Sequence, residues 1–466
     1  MALRLTNTLT SQLEELQPLD GETVRMYACG PTVYDYCHIG NFRTFVFQDL
    51  LRRYIKHRGF HLKHVMNITD VDDKIIRGSL EAGISIQEFT KPYVEAFFED
   101  MEKLGIEKPD LTPFATDHIE EMIQLVAKLK KGGHTYQSGG STYYRISSFP
   151  GYGKLSRVDL SGSQITDPTD ADEYTKENPR DFVVWKAKKE EGEASWETSL
   201  GVGRPGWHLE CSAMSMKYLG ESFDLHCGGV DLVFPHHENE IAQSEASTGR
   251  PFVQHWIHSE FLQVEGEKMS KSRGNQYTLR DLIEQGYDPL AIRYLLQSVH
   301  YRKQLNFTFE GVSQAGAALS RIKEFLLRIN DVQDGSPENT ALTKQVFQKR
   351  EDFLAGLDND LNTSIALGSL FELIRSTNIL LDRQDVGAIN RDHIIQFFDE
   401  ANQIFAFFET HKHPVADEEI SQLIQQREEA RQQHNFQKAD EIRNILLEKG
   451  ITLEDTKTGT RWKETN

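Results

Sequence analysis

Lys268 and Lys271, separated only by Met269 and Ser270, place two positive charges on a run of small and polar residues that continues as Ser272-Arg273-Gly274-Asn275. Such a pair can neutralise a pyrophosphate as its charge grows during transfer of an adenylyl group. A solvated basic loop is the plainer reading of the same residues. Far upstream, His38-Ile39-Gly40-Asn41 offers complementary chemistry. Gly40 allows a ligand to come close, His38 and Asn41 can donate hydrogen bonds, and a helix starting here would turn free N–H groups and its dipole toward a phosphate. Four residues match such a pattern often by accident. A third group is built for metal rather than phosphate: His236 and Glu240 stand four apart in a predicted helix, on one face, where both could reach one ion. Cys29 and Cys211 would have to join them by folding, since no paired-cysteine spacing marks them, and satisfied core residues are the alternative reading for so scattered a set.

The elements that would hold these residues follow from apolar spacing. Val24 to Ala28 reads as a strand, and Phe42, Phe45, Val46, Leu50 and Tyr54 recur at helical spacing until Gly59. His61 to Ile68 reads as the next strand. A strand, helix, strand succession is the unit of a parallel nucleotide-binding sheet, with the helix N-terminus beside His38 to Asn41. Glycine pairs and a charged stretch from Lys186 to Glu193 interrupt the pattern between residues 115 and 205 and predict an insertion. Afterwards Phe223 to Cys227 reads as a strand, Gly228-Gly229 as a turn, and Pro235 to Ser247 as a helix with Pro235 near its first position. Beyond residue 311, Leu319, Ile322, Leu326 and Ile329 form one apolar helical stripe, and Thr410 to Val415 reads as a linker to a last small unit ending in Trp462.

A chain of 466 residues exceeds what one core organises, so two to four domains are expected. With 38% hydrophobic and 26% charged residues it reads as globular, no apolar run approaches membrane-spanning length, and no secretory block opens it, so a cytoplasmic protein without membrane association is the expectation. A monomer is expected. Four cysteines are too few for a disulfide framework. A net charge of −19 argues against a protein that coats nucleic acid, yet a local basic stripe on an acidic body can still bind RNA selectively.

Taken together, His38 to Asn41 and Lys268 to Ser272 resemble the two signature sequences of class I aminoacyl-tRNA synthetases, with Asn41 where the first signature often ends in His. Tyr27 to Asp35, Asn67 to Lys74, Arg204 to Met214 and Gly228 to Glu240 are similar to the cysteine-specific branch of that class, and the likeness runs over nearly the whole chain. The resemblance implies an α/β fold: a split Rossmann-like parallel-sheet catalytic domain with an insertion, then an α-helical bundle and a small C-terminal anticodon-binding domain. It places the catalytic halves at 1–114 and 206–265 around a connective insertion at 115–205, the lysine loop and stem-contact region at 266–310, the bundle at 311–409 and the anticodon unit at 416–466.

It also implies roles. His38, Asn41, Lys268 and Lys271 would act in catalysis, and His38, Gly40, Asn41, Gly228, Asp231, Lys268 and Lys271 would hold ATP. Cys29, Thr69 and Trp207 would contact the amino acid, although Trp207 also reads as a buried core aromatic. Cys29, Cys211, His236 and Glu240 would hold one Zn²⁺, a mixed sulfur, nitrogen and oxygen set suited to that ion. His208, His226 and His237 would line the pocket. Mg²⁺ would accompany ATP, and the implied partners are L-cysteine, ATP and tRNA(Cys). In the last unit Arg427, Arg431, Lys438 and Arg443 offer cations to RNA. Rival readings are an ATP-dependent cysteine ligase with an amino-sugar acceptor, a noncatalytic RNA-binding protein, and a zinc hydrolase using Glu238.

Overall fold

In the computed structural model, residues 2–158, 177–178, 180–270, 273–408, 414–432, 435–448, 451–456 and 459–464 are described. The chain divides into two compact units, residues 1–408 and 409–466.

The larger unit is organised around a four-stranded sheet. In chain order its elements are β1 (Thr23–Ala28), α1 (Ile39–His57), β2 (His61–Met66), α2 (Trp207–Leu219), β3 (Phe223–Gly229), α3 (Glu238–Thr248) and β4 (Val253–Ser259). The strands lie in the order β4-β3-β1-β2, all parallel. Parallel sheets are covered on both faces, and β3 is accordingly buried along its whole length. The order reverses between β1 and β3, so the crevice beyond their carboxyl ends is where an open α/β sheet binds ligands. Cys29 follows β1 there, and its N–H donates to the Cys227 carbonyl at 3.3 Å.

Between β2 and α2 the chain leaves the sheet, forming the helix Ile119–Lys131 and a five-stranded antiparallel sheet in the order Thr135–Ser138, Ser141–Tyr144, Phe182–Ala187, Gly201–Pro205, Trp196–Thr198. Beyond β4, helices Phe309–Asn330, Thr340–Asp358, Thr363–Asp382 and Ala388–Phe405 pack around a second apolar core. Asp360, at φ +60°, ties this bundle to the N-terminal strand Arg4–Asn7 and to Tyr301: its carboxylate accepts from the Thr6 amide at 2.8 Å, the Thr6 hydroxyl at 2.7 Å and the Tyr301 hydroxyl at 2.5 Å. In the small unit, helices Pro414–Gln432 and Phe436–Glu448 accompany a hairpin, Ile451–Thr456 with Gly459–Glu464, and Ile442, Leu446 and Ile451 form its core.

Several local expectations are corrected. Gly228 and Gly229 end β3 rather than forming a turn. The helix expected from Pro235 does follow the extended Phe234 (φ −139°, ψ 132°), but it passes through a π-helical turn ending at His237 before becoming α-helical at Glu238. Pro414 and Val415 open a helix instead of closing a linker, while 409–413 lie outside the described residues. Among the described residues, one helix, Thr363–Asp382, is long and apolar enough to cross a membrane. Its Ala366, Leu370 and Leu373 are buried in the bundle core, as in a core helix of a globular protein.

The helix Pro289–Ser298 is joined to α1 through Arg293 and Asp49, both fully buried and 2.5 Å apart. Arg293 also donates to the Phe405 and Leu104 carbonyls, and Asp49 accepts from Arg53 and from the Glu107 amide. Burial pushes the Asp49 carboxyl up, but Arg293 and Arg53 together hold it below the ordinary aspartate value of 3.8. Its contribution is therefore complete above pH 3.8 and lost as pH falls through the lower folded value. Replacing Asp49 by Asn strands a buried guanidinium and should cost about 3–5 kcal/mol at neutral pH. Denaturant melts should show the gap between wild type and variant narrowing only in acid; a gap that is unchanged there would refute the assignment.

Candidate active site and metal cluster

Four side chains from three separate stretches meet beyond the carboxyl ends of β1 and β3. One ligand atom from each of Cys29, Cys211, His236 and Glu240 lies within 4.8 Å of every other. The thiols are 3.8 Å apart, and His236 Nε2 comes within 3.0 Å of Glu240 Oε1. All four are buried, Cys29 at 9% exposure being the most open. His236 Nε2 is buried with its contacts confined to the cluster, the Glu240 carboxylate being 3.0 Å away. Two sulfurs, an imidazole nitrogen and a carboxylate oxygen at this spacing form a donor set that fits a tetrahedral divalent ion.

The protonation pattern agrees. Burial and the hydrogen bond shared with Cys211 push the Cys29 thiol far up, while the same bond brings Cys211 down to about 6. Burial opposes a charge on His236, but the Cys211 thiolate and Glu240 raise it to about 10. Burial likewise opposes ionised Glu240, yet His226 and His236 hold it at about 2. The pocket thus gathers anionic donors and recruits a proton onto His236 for want of a stronger cation.

An outer ring orients the cluster. His226 Nε2 meets Glu240 Oε2 at 3.0 Å, His208 Nδ1 meets His236 Nδ1 at 2.8 Å, and His237 Nε2 lies 3.4 Å from Cys29 Sγ. His237 Nδ1 bonds His258 Nε2 at 2.7 Å, and His258 in turn meets the Thr8 hydroxyl. Cys29, His226, His237 and Glu240 form a second grouping within the same 4.8 Å. Gly228 is required here: a Cβ on it would sit 2.7 Å from the His237 ring. Trp207 is half-buried, with its ring centroid 4.3 Å from that of His236, so it walls the site instead of filling the core. Thr69 donates to Glu210 Oε2 at 3.0 Å and accepts from Asn67, whose side-chain oxygen takes the Gly30 amide at 3.0 Å. Asp231 is exposed, in the turn after β3.

At the other end of the crevice, His38 caps α1. Its Nδ1 accepts the Asn41 amide at 3.2 Å while Asn41 Oδ1 accepts the His38 amide at 3.1 Å. Asn41 therefore spends its oxygen on a capping box, and with Nδ1 accepting, the neutral His38 ring carries its proton on Nε2. The second signature reaches this cap directly. The Ile39 amide donates to the Tyr277 carbonyl at 2.9 Å, and Met269 Cε would lie 2.6 Å from a Cβ on Gly40. Asn275 braces the loop, accepting the Ser270 amide at 2.8 Å and donating to the Lys268 carbonyl. Lys268 is exposed; Lys271 lies outside the described residues.

Spacing did not single out Glu210, Asn67, His258 or Asn275; each acts through a residue distant in sequence or through a local loop bond. In the small unit Arg431, Lys438 and Arg443 are exposed, whereas Arg427 is 6% exposed, so it serves the interior and not the surface as anticipated. Glu238, the base a zinc hydrolase would need, has both oxygens engaged by the amides of Gly153, Leu155 and Ser156.

A parallel sheet split by an antiparallel insertion, with a capped histidine helix and a lysine loop at its carboxyl ends, is the catalytic fold of the class I aminoacyl-tRNA synthetases. Solved structures carry the same fold: a Mycobacterium tuberculosis methionyl-tRNA synthetase aligns over 82% of this chain and 89% of its own at TM-score 0.60 and 14% identity. An Agrobacterium radiobacter LeuRS aligns over 82% and 84% at TM-score 0.59 and 11% identity. The family described as "tRNA synthetases class I (C) catalytic domain" matches residues 15–317, "DALR domain" matches 352–409 and "Cysteinyl-tRNA ligase anticodon binding domain" matches 413–462. Relatives named cysteine–tRNA ligase are 50% identical in Solibacter usitatus, over 99% of this chain and all of theirs, and 50% in Brachyspira hyodysenteriae, over 98% of both. The chain belongs to the cysteine–tRNA ligase family.

Glycine contacts yield a graded test. A Cβ on Gly30 would lie 1.7 Å from the Asn67 carbonyl oxygen, which is backbone and cannot yield, whereas on Gly40 it meets the movable tip of Met269. Gly30→Ala should cost at least about 1–3 kcal/mol and Gly40→Ala less. Thermal melting that ranks the two in the opposite order would refute this packing.

Proposed function

We propose that this chain activates L-cysteine with ATP to cysteinyl-adenylate and transfers it to tRNA(Cys). The observation that carries the amino-acid assignment is the convergence of Cys29, Cys211, His236 and Glu240 in one buried cluster at the foot of the crevice that the two signatures line. Those four residues would hold Zn²⁺. Bound there, it would supply a soft Lewis-acid site that favours a thiolate over the hydroxyl of serine. A difference in acidity and softness discriminates where size alone cannot, so no editing site is required.

The chain's own residues do the rest. Trp207 and Thr69 border the cluster and would position the amino acid. The carboxylate nucleophile is already ionised near neutrality, so activation needs no enzymic base. The His38 Nε2–H and the Gly40 amide at the start of α1 would face the phosphates, with Gly40 admitting them closely and Gly228 and Asp231 at the adenosine end. As the carboxylate attacks the α-phosphorus and pyrophosphate departs, Lys268 and Lys271 would stabilise the growing charge, and Mg²⁺ would accompany the nucleotide. In the small unit, exposed Arg431, Lys438 and Arg443 would meet RNA phosphates while the acidic remainder of the surface discourages nonspecific binding. The match of residues 413–462 to an anticodon-binding family favours tRNA over a small amino-sugar acceptor. A cytoplasmic monomer completes the reading.

Cysteine-dependent exchange between pyrophosphate and ATP should proceed without RNA, and Cys211→Ser should lower kcat/KM for cysteine by more than the roughly 100-fold typical of an outer-shell change. Retention of full activity would remove Cys211 from the site. Metal uptake must displace the protons of Cys29 and His236, so affinity for Zn²⁺ should strengthen as pH rises; calorimetry showing no proton release would contradict the ligand set. Truncation before residue 416 should spare activation and impair charging, and unimpaired charging would mean the small unit does not read tRNA.

A further inference from the structure

Glu238 has no part in the chemistry above, yet it is a fully buried carboxylate at the first position of α3. Its Oε1 accepts the Gly153 amide at 2.8 Å, and its Oε2 accepts those of Leu155 at 3.1 Å and Ser156 at 2.8 Å. Gly153 sits at φ +93°, a conformation that suits glycine and lets the amides of 153, 155 and 156 turn toward one acceptor. The grip extends along the helix. Asn239 Oδ1 accepts the Tyr152 hydroxyl at 2.5 Å, Lys154 pairs with Glu245 at 2.5 Å, and the Tyr144 hydroxyl donates to the Ala242 carbonyl at 3.0 Å. All these partners belong to the segment inserted between β2 and α2.

The position of Glu238 gives the clamp its meaning. It lies midway between His236 and Glu240, and α3 has no side-chain cap and continues from the π-helical turn Val233–His237 that carries His236. The insertion is thus what anchors the turn that presents both residues. Metal sites tolerate ligand displacements of only about 0.2 Å, so a helix start free to shift would not hold one geometry.

We propose that Glu238 is a positioning residue for amino-acid selection: by gathering the amides of residues 153, 155 and 156, it lets the insertion fix where His236 and Glu240 meet the metal that receives the substrate thiol. The inference rests on the metal reading given above. The three N–H groups also account for the burial of this carboxyl group, because they take both of its oxygens as hydrogen-bond acceptors.

The test uses the full-length zinc-loaded protein, with wild type, Glu238→Gln, Glu238→Asp and Tyr152→Phe compared. A glutamine has one acceptor oxygen and turns an NH₂ toward amide donors. Glu238→Gln should release Zn²⁺ to a chelating dye about 10–100-fold faster and raise KM for cysteine by a similar factor, with KM for ATP unchanged. The visible spectrum of the Co²⁺-substituted form should change with it. Glu238→Asp should recover part of each effect, and Tyr152→Phe should move them the same way to a smaller extent. Unchanged zinc release, spectrum and KM for cysteine in a metal-loaded Glu238→Gln protein would overturn this inference alone, as would a parallel rise in KM for ATP. If Glu238→Gln does not fold, Tyr152→Phe decides by the same criteria. A wild type that binds no metal overturns the metal reading and this inference with it.

Discussion

Burying two thiols, an imidazole and a carboxylate against one another is unfavourable unless a positive charge joins them, and this constraint organises the centre of the protein. At low dielectric the thiolate and carboxylate repel, and the cluster answers by forcing a proton onto His236 and keeping another on Cys29. A divalent ion would relieve both distortions at once. The surrounding architecture serves that arrangement: the end of β1 delivers Cys29, α2 delivers Cys211, and the turn into α3 delivers His236 and Glu240. Histidines 208, 226 and 237 orient the donors from behind, as outer-shell partners of metal sites do.

The same crevice carries a second, harder chemistry at its other end. His38 and Asn41 cap each other, which leaves the first turn of α1 with preorganised amides and one tautomer of the His38 ring. The lysine loop docks on that cap through Met269 and through the backbone bond from Ile39 to Tyr277. Two signatures distant in sequence thereby become one surface. Under the proposed function a division of labour would follow: amide, imidazole and ammonium groups for phosphate oxygens, and soft donors for sulfur.

Buried carboxylates hold the parts in register. Asp49 joins α1 to the helix carrying Arg293, Asp360 joins the bundle to the N-terminal strand region, and Glu238 joins α3 to the insertion. Each is satisfied by several donors, so each is costly to disturb. That pattern is consistent with a site whose two ends must keep a fixed separation while the substrates differ in chemistry.

The amino-acid sequence alone determined the chemistry and the class. The spacing of apolar residues marked β1, α1 and the bundle stripe, and the motifs His38 to Asn41, Lys268 to Ser272 and Gly228 to Glu240 were legible because they are contiguous. Even the pairing of His236 with Glu240 was readable, since a helical turn brings positions four apart onto one face. It was less able to locate boundaries: Gly228-Gly229 stayed in the strand, paired with His258 and Ser259 of β4, and the helix after Phe234 opens with a π-helical turn before Glu238. Only the tertiary structure decided that Cys29 and Cys211 share a cluster with them, that Asn41 is a capping acceptor, that Arg427 faces inward, and that Glu238 answers to amides more than eighty residues upstream. Those are contacts between segments remote along the chain, and their geometry is set by how sheet, helices and insertion pack, which no local spacing encodes.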